Sequence, residues 1–558
     1  MRLSKTKGLL IVILTFIYTL GFAQSNNQGT FSGSLEANGN FFDEDAEIGA
    51  AGTPQYDHQL FGAEAWLDLR YSNFGFDFGL RFDLFNNSNI LNPQDSYSDQ
   101  GIGRWFVKKQ VKKLGISAGY LYDQIGSGII FRAYEERPLL LDNALMGLRL
   151  TYDLTPDFQI KAFTGRQKNL FDLYDSVIRG IGVDGYIVGD SSRWTMAPGF
   201  GMVARTIDDE TMGRLLTELS FYTDPYRVGA KYNAYAFSLY NTFSMGRFTW
   251  YVEGAFKTQE NFFDPEFEYT TAEGAERKGK FDFQTGNVLY TSIGYAGNGL
   301  GISLEGKRTE NFTFRVDPFP AENLNRGAIN FLPPMARVNT YRLNARYTPA
   351  TQELGEQAVQ LDIRYSPSRK LGYLLNFSYI TTLENDLLYS EVYTEVTYKY
   401  QRKWQIIGGI QWQNYNQNIY EGKPGVDILE TVTPYAEYLY KFSRKKSIRI
   451  ETQYMLTAPG ISSYKNRDLG DWVFAQVEVG LAPHWIFTAS DMYNIDPVNK
   501  TGEAVANHFP TLGVVYTRRS NRFELKYVKQ VEGIVCAGGI CRLEPAFSGV
   551  KMSVRSTF

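Results

Sequence analysis

The sequence predicts an all-β fold: a single-chain transmembrane antiparallel β-barrel of the outer-membrane type. Three observations predict it. Apolar and polar residues alternate with period two over many segments, as in strands with one dry and one wet face. The connections between those segments alternate between short and long. The chain opens with the layout of an export signal.

Arg2, Lys5 and Lys7 precede an apolar run over residues 8–20, and Gly21 and Ala23 are the small residues before a cut after Ala23. This pattern predicts a cleaved signal peptide over residues 1–23 and a mature chain over 24–558. A membrane anchor is the competing reading, but the run is short of the roughly 20 residues that a spanning helix needs. No Cys follows the cut, so no lipid anchor is expected. The expected destination is the bacterial outer membrane, reached through the periplasm, with its lipid and lipopolysaccharide as surroundings.

Mean hydropathy is −0.30, and no later apolar run has the length of a spanning helix. A barrel escapes hydropathy because half of each strand is polar. Aromatics make up 15% of the chain, with 38 Tyr and 39 Phe, as interfacial belts require. The net charge of −3 carries no nucleic-acid signature, and no nucleic-acid partner is expected.

The stretch VYTEVTYKYQRKWQIIGGIQWQNY, residues 392–415, shows the alternation twice, broken by Gln401, Arg402 and Lys403. Phe76, Phe78, Leu80, Phe82 and Leu84 oppose Asp77, Gly79, Arg81 and Asp83. In a soluble sandwich the apolar face would point inward; in a membrane barrel it meets lipid. The barrel reading sends Ile406, Ile410, Ile448 and Ile450 to lipid and Gln411, Arg449, Glu451 and Gln453 to the lumen.

Short turns are expected at 366–371, 401–403, 442–447, 482–484 and 518–521, with longer loops between them at 382–388, 416–427, 458–469 and 495–503. Outer-membrane barrels keep this rhythm, short on the periplasmic side and long outside. The count reaches about 26 strands, with 22 to 26 allowed, because single-chain bacterial barrels are even-numbered. It includes strands over 213–223 and 337–349, and a further one over 324–332 turning at Pro333-Pro334. Inward or extracellular loops are expected near 123–143, 166–198 and 259–283. The last residues, with Met552, Val554, Ser556 and Phe558 on one face, resemble the signal read by the barrel-assembly machinery. Ser556 is a poor match to the apolar residue expected there.

The densest polar cluster is YDQIGSGIIFRAYEERPLLLDNALMGLRL, residues 122–150. Folded into the lumen, its Arg132, Glu135, Glu136, Arg137, Asp142 and Arg149 would set a constriction and its ion preference. An outer loop held by its own ion pairs is the alternative. The run GSGIIFRAYEERPLLLDNALMGLRL and the ending GIVCAGGICRLEPAFSGVKMSVRSTF resemble a family of secreted Bacteroidota proteins defined only as a domain of unknown function. The resemblance implies an outer-membrane location and no activity, ligand or site.

Cys536 and Cys541, in VCAGGIC, are expected to form a disulfide at a hairpin tip, given the export signal and their spacing. A metal site is not expected, since no His lies nearby. Enzyme chemistry is not expected either. The histidines are His58, His484 and His508, and pairing His508 with Ser520 or Glu503 is the one catalytic arrangement to weigh. The first strand begins near Gly29, so an N-terminal plug of the TonB-dependent kind is not expected. The function that follows is a passive, porin-like channel or transport pore for small solutes or oligosaccharides, without a cofactor. The alternative is a non-conducting outer-membrane scaffold, or an assembly or secretion factor.

Overall fold

The alternation settles in the direction that a membrane barrel requires. Val396, Ile406, Ile410 and Trp412 are exposed on the outer wall, whereas Gln411 and Gln413 of the same hairpin are buried inside. Cross-strand register keeps each set together: Thr394 faces Ile410 and Tyr398 faces Ile406 on the outside. Ile450 is exposed and Glu451 and Gln453 are buried, as parity predicts.

The computed structural model describes residues 29–558, apart from 190–192, 225, 271–273, 321–325, 424, 427, 458–470, 496–506 and 538–539. The expected signal peptide, the loop at 458–469 and most of the one at 495–503 lie outside the described residues.

Twenty-four antiparallel strands close on themselves. Strand Thr30–Phe42 pairs with Phe61–Asn73 on one side and with the last strand, Phe547–Thr557, on the other, which shuts the barrel. The N–H of Gly33 donates to the carbonyl of Phe558 at 2.8 Å, and the Phe558 N–H returns the bond at 2.9 Å. A Cβ at Gly33 would stand 2.5 Å from the Phe558 ring, so the glycine makes room for the last side chain. Closure leaves no unpaired sheet edge, which hydrocarbon would not tolerate.

The strand number falls within the expected range, but its composition differs. Residues 213–223 are not a strand: they overlap the helix Asp209–Ser220, capped by Asp208, whose carboxylate accepts from the Thr211 N–H at 2.8 Å. Met212, Leu215 and Leu219 are its buried face, a spacing of three and four where a strand needs two. The expected loop at 166–198 contains the strand Asp172–Gly185. The expected loop at 259–283 is mostly a continuation of the neighbouring strands Phe248–Thr270 and Glu276–Gly297, of 23 and 22 residues. At about 3.3 Å per residue they outrun an apolar band of about 25 Å. Met212, Leu215 and Leu219 pack with Phe281 on this projecting hairpin. Of the strands expected at 324–332 and 337–349, the described residues 326–332 and 337–349 form none.

The connections 43–60, 122–144, 207–232 and 311–354 leave one rim of the barrel, and both described ends of the chain lie at the opposite rim with most of the short turns. The main apolar core sits inside the barrel, where wall residues such as Phe163, Ile178 and Val203 pack against Ile129, Phe314 and Ile329 from two long connections.

Candidate functional site

The first of these connections, residues 122–144, joins strands Leu114–Leu121 and Leu145–Thr155. Ile125, Ile129, Ile130 and Phe131 are all buried, so it cannot sit on the surface. Two short ladders shape it, Asp123–Ile125 against Phe131–Ala133 and Glu135–Glu136 against Leu141–Asp142. Gly128 turns the first ladder at φ +104, a conformation that side chains rarely adopt. On the facing wall a Cβ at Gly201 would come within 2.2 Å of Ile125, so that glycine lets the segment dock.

The second connection, residues 311–354, enters from the same rim. Phe312, Phe314, Val316 and Ile329 are fully buried in it. Pro318, Pro320, Pro333, Pro334 and Pro349 punctuate the run, and each removes a ladder donor, so regular strands fail. The two connections bind each other inside the barrel. The Arg132 N–H donates to Ile329 O at 2.9 Å, and the Phe331 N–H donates to Gly128 O at 3.0 Å. Together they form a plug.

A buried segment without regular structure must still satisfy its peptide groups. Here the wall's inward polar residues do so. Gln167 donates to Ala328 O at 2.7 Å, Ser176 to Val316 O at 2.6 Å and Lys307 to Pro333 O at 2.5 Å. Across the lumen Gln411 donates to Asn344 O at 3.1 Å and Gln413 to Tyr347 O at 3.2 Å. Gln453 accepts from the Leu343 N–H at 2.6 Å. Part of the polar face that alternation assigns to water is therefore a hydrogen-bonding template for the plug.

The six charged residues singled out from sequence divide between the plug and the wall. Arg137 pairs with Glu36, Asp68 and Glu135 at 2.9, 3.0 and 3.1 Å. Glu135 and Asp142 both receive Arg81 of the wall, at 2.7 and 2.9 Å. Lys168 reaches Asp142 at 2.5 Å. Arg132 lies over the Tyr134 and Phe331 rings at 4.5 and 4.1 Å. Arg149 belongs to strand Leu145–Thr155 and pairs with Asp123 at 3.2 Å. Glu136 makes no ion pair among the described residues. Most of these charges anchor the plug to the wall.

Burial alone would raise the Asp142 carboxyl, but Lys168 and Arg81 hold it below the usual carboxylate range. Arg81 and Lys168 escaped assignment from sequence. The available signal was the inward parity of Arg81, which says that it faces the lumen but not what it meets there. The same holds for the buried pairs Arg205–Glu260 at 2.5 Å and Lys307–Glu356 at 2.6 Å.

Elsewhere, Cys536 and Cys541 are cross-strand partners in the hairpin formed by Gly533–Ala537 and Ile540–Glu544. His508 Nδ1 lies 2.6 Å from Asp491 on the outer face of the long-loop rim. Ser520 sits at the opposite rim, where its hydroxyl donates to Thr557 O at 2.8 Å, so His508 and Ser520 are not brought together. Glu503 lies outside the described residues. No group of three metal-binding side chains occurs among the described residues.

Residues 5–558 match the model of a family described as a family of unknown function, DUF6029. No curated protein matches the chain. Similar solved structures include the siderophore receptor PirA from Pseudomonas aeruginosa, at TM-score 0.40 and 8% identity over 96% of this chain and 81% of that one. The outer membrane transporter YddB from Escherichia coli gives 0.39 and 7% over 96% and 81%. OccK11 (OpdR) from Pseudomonas aeruginosa gives 0.34 and 13% over 78% and 99%. The likeness is one of outline and assigns no ligand.

Proposed function

We propose, for a chain that belongs to the DUF6029 family, an outer-membrane transport pore whose own inter-strand segments restrict its lumen. One observation carries the reading: residues 122–144 and 311–354 fold inward from the long-loop rim and meet inside a closed barrel. A barrel of this size encloses more space than its wall side chains fill. An open hole would breach the membrane barrier, and the plug narrows it. In this reading the apolar outer face meets outer-membrane lipid and lipopolysaccharide. The chain reaches the barrel-assembly machinery through its terminal Phe558, and passage is passive, without cofactor or chemical step.

Single-channel recording of the full chain in planar bilayers tests this, with oligosaccharides added as blockers. Small, discrete, solute-sensitive conductance is expected. A second reading, a non-conducting scaffold or assembly factor, has its own support in the close apolar packing of Phe312, Phe314 and Ile329 against the wall. Folded protein that never conducts would select it.

A further inference from the structure

Lys526 and Lys551 are direct cross-strand partners facing the lumen. Two like charges so placed destabilise a sheet pair unless something of opposite sign lies between them. Glu524 pairs with Lys526. Glu544, from the hairpin that carries the cysteines, stands 4.0 Å from Lys551. Arg542 and Arg342 also act on Lys551. Glu544 is also within electrostatic reach of Arg542 and Arg342.

Space adjoins this cluster. A cavity of about 290 Å³ is lined by Lys526, Lys551, Arg542 and Glu544. A second, of about 540 Å³, is lined by Arg342, Arg346 and the same Glu544. Glu544 therefore stands between two lobes. Both are of the size that holds small molecules. Donors are left over in them. The buried Nε of Arg542 has no acceptor. Arg342 is exposed to the larger lobe and makes no hydrogen bond or ion pair among the described residues. A buried N–H without an acceptor, as at Arg542 Nε, calls for a partner.

We propose that these two lobes form a binding site for a small multivalent anion, a solute bearing several carboxylate or phosphate groups, held by Arg342, Arg542 and Lys551 with Glu544 as the competing internal anion. The inference names the solute class for the pore and rests on that reading for its physiological role, though not for the binding itself. Arginine forks suit carboxylate and phosphate alike.

Equilibrium dialysis of the purified full chain in detergent, at low salt, tests it with citrate and inorganic pyrophosphate as probes and maltotriose as the neutral control. At least one anion should bind far better than maltotriose. Arg342→Gln and Arg542→Gln should each weaken binding at least tenfold, and Glu544→Gln should tighten it. Unboiled electrophoretic mobility reports whether each variant keeps its barrel, and Glu544→Gln decides the matter if an arginine variant does not. No preference for either anion, or unchanged binding in folded variants, overturns the site. Anion binding in a protein that never conducts removes the transport reading and leaves the site standing. Conductance without anion binding does the reverse.

Discussion

Arg81 of the barrel wall donates through Nη2 to Asp142 of the plug at 2.9 Å, across 61 residues of chain. The Arg81 side chain is 2% exposed and also holds Asp83 and Glu135, each at 2.7 Å. Removing one member of a buried ion cluster costs about 3–5 kcal/mol, because the other members lose their counter-charge. Arg81→Met should loosen residues 122–144 without opening the wall. The expected outcome is higher and noisier conductance in planar bilayers with normal unboiled mobility. Unaltered conductance in a conducting protein would show that this anchor does not hold the restriction.

Asp142 makes the anchor sensitive to acid. Its carboxyl is depressed in the folded protein. Such a group adds stability above its unfolded value, near 3.9, and that stability is lost as pH falls through the lower folded value. Plug anchoring should therefore hold down to about pH 4 and weaken below it. Asp142→Asn should flatten this dependence. Stepwise acidification during bilayer recording reads both, and equal acid responses in the two proteins would exclude Asp142 as their source.

The second plug segment can be removed outright. Glu310 and Gly355 are cross-strand partners, so a short turn can join their strands once residues 313–352 are gone. The barrel should still close, and conductance should rise several-fold. A folded deletion variant that conducts like the parent would place the restriction elsewhere.

Neighbouring positions on one strand should face opposite media. Arg449 ion-pairs inside with Glu437 at 3.1 Å, while Ile450 is exposed on the outer wall. A charge on the lipid face at mid-membrane costs about 2–4 kcal/mol, which is why parity is kept. Arg449→Cys should label with an aqueous maleimide and Ile450→Cys with a lipid-soluble one. The reverse pattern would argue for an inward apolar face.

Cys536 and Cys541 are opposed in their ladder. Directly opposed residues of an antiparallel pair have Cα atoms about 4.5–5.5 Å apart, within reach of a disulfide. Peptide mapping without reduction should recover them linked. Two alkylatable thiols in protein taken from its native membrane would contradict the bond.

The barrel itself was legible in the chain. The two faces of 392–415, the short turns and the closing strand follow from a period of two residues, and that period is written locally. Lipid permits only one direction for the apolar face, so parity alone placed Ile410 outside and Gln411 inside. The helix Asp209–Ser220 was also written locally, in the spacing of Met212, Leu215 and Leu219, and was misread because the surrounding rhythm suggested another strand.

The plug was legible only by half. The charged and apolar mixture at 122–144 left a lumenal fold and an outer loop held by its own ion pairs both open, and its partners did not show. From sequence, residues 311–354 are assigned two more strands, the one over 324–332 because it makes the count even and restores the alternation of short and long connections. What overrides that assignment lies far away in sequence. Gln167, Lys307, Gln411 and Gln453 satisfy peptide groups of this segment from separate strands. Alternation assigns each of these side chains to the lumen and is silent on what it meets. Only closure of the barrel brings them around one segment, so the choice between strand and plug belongs to the tertiary structure.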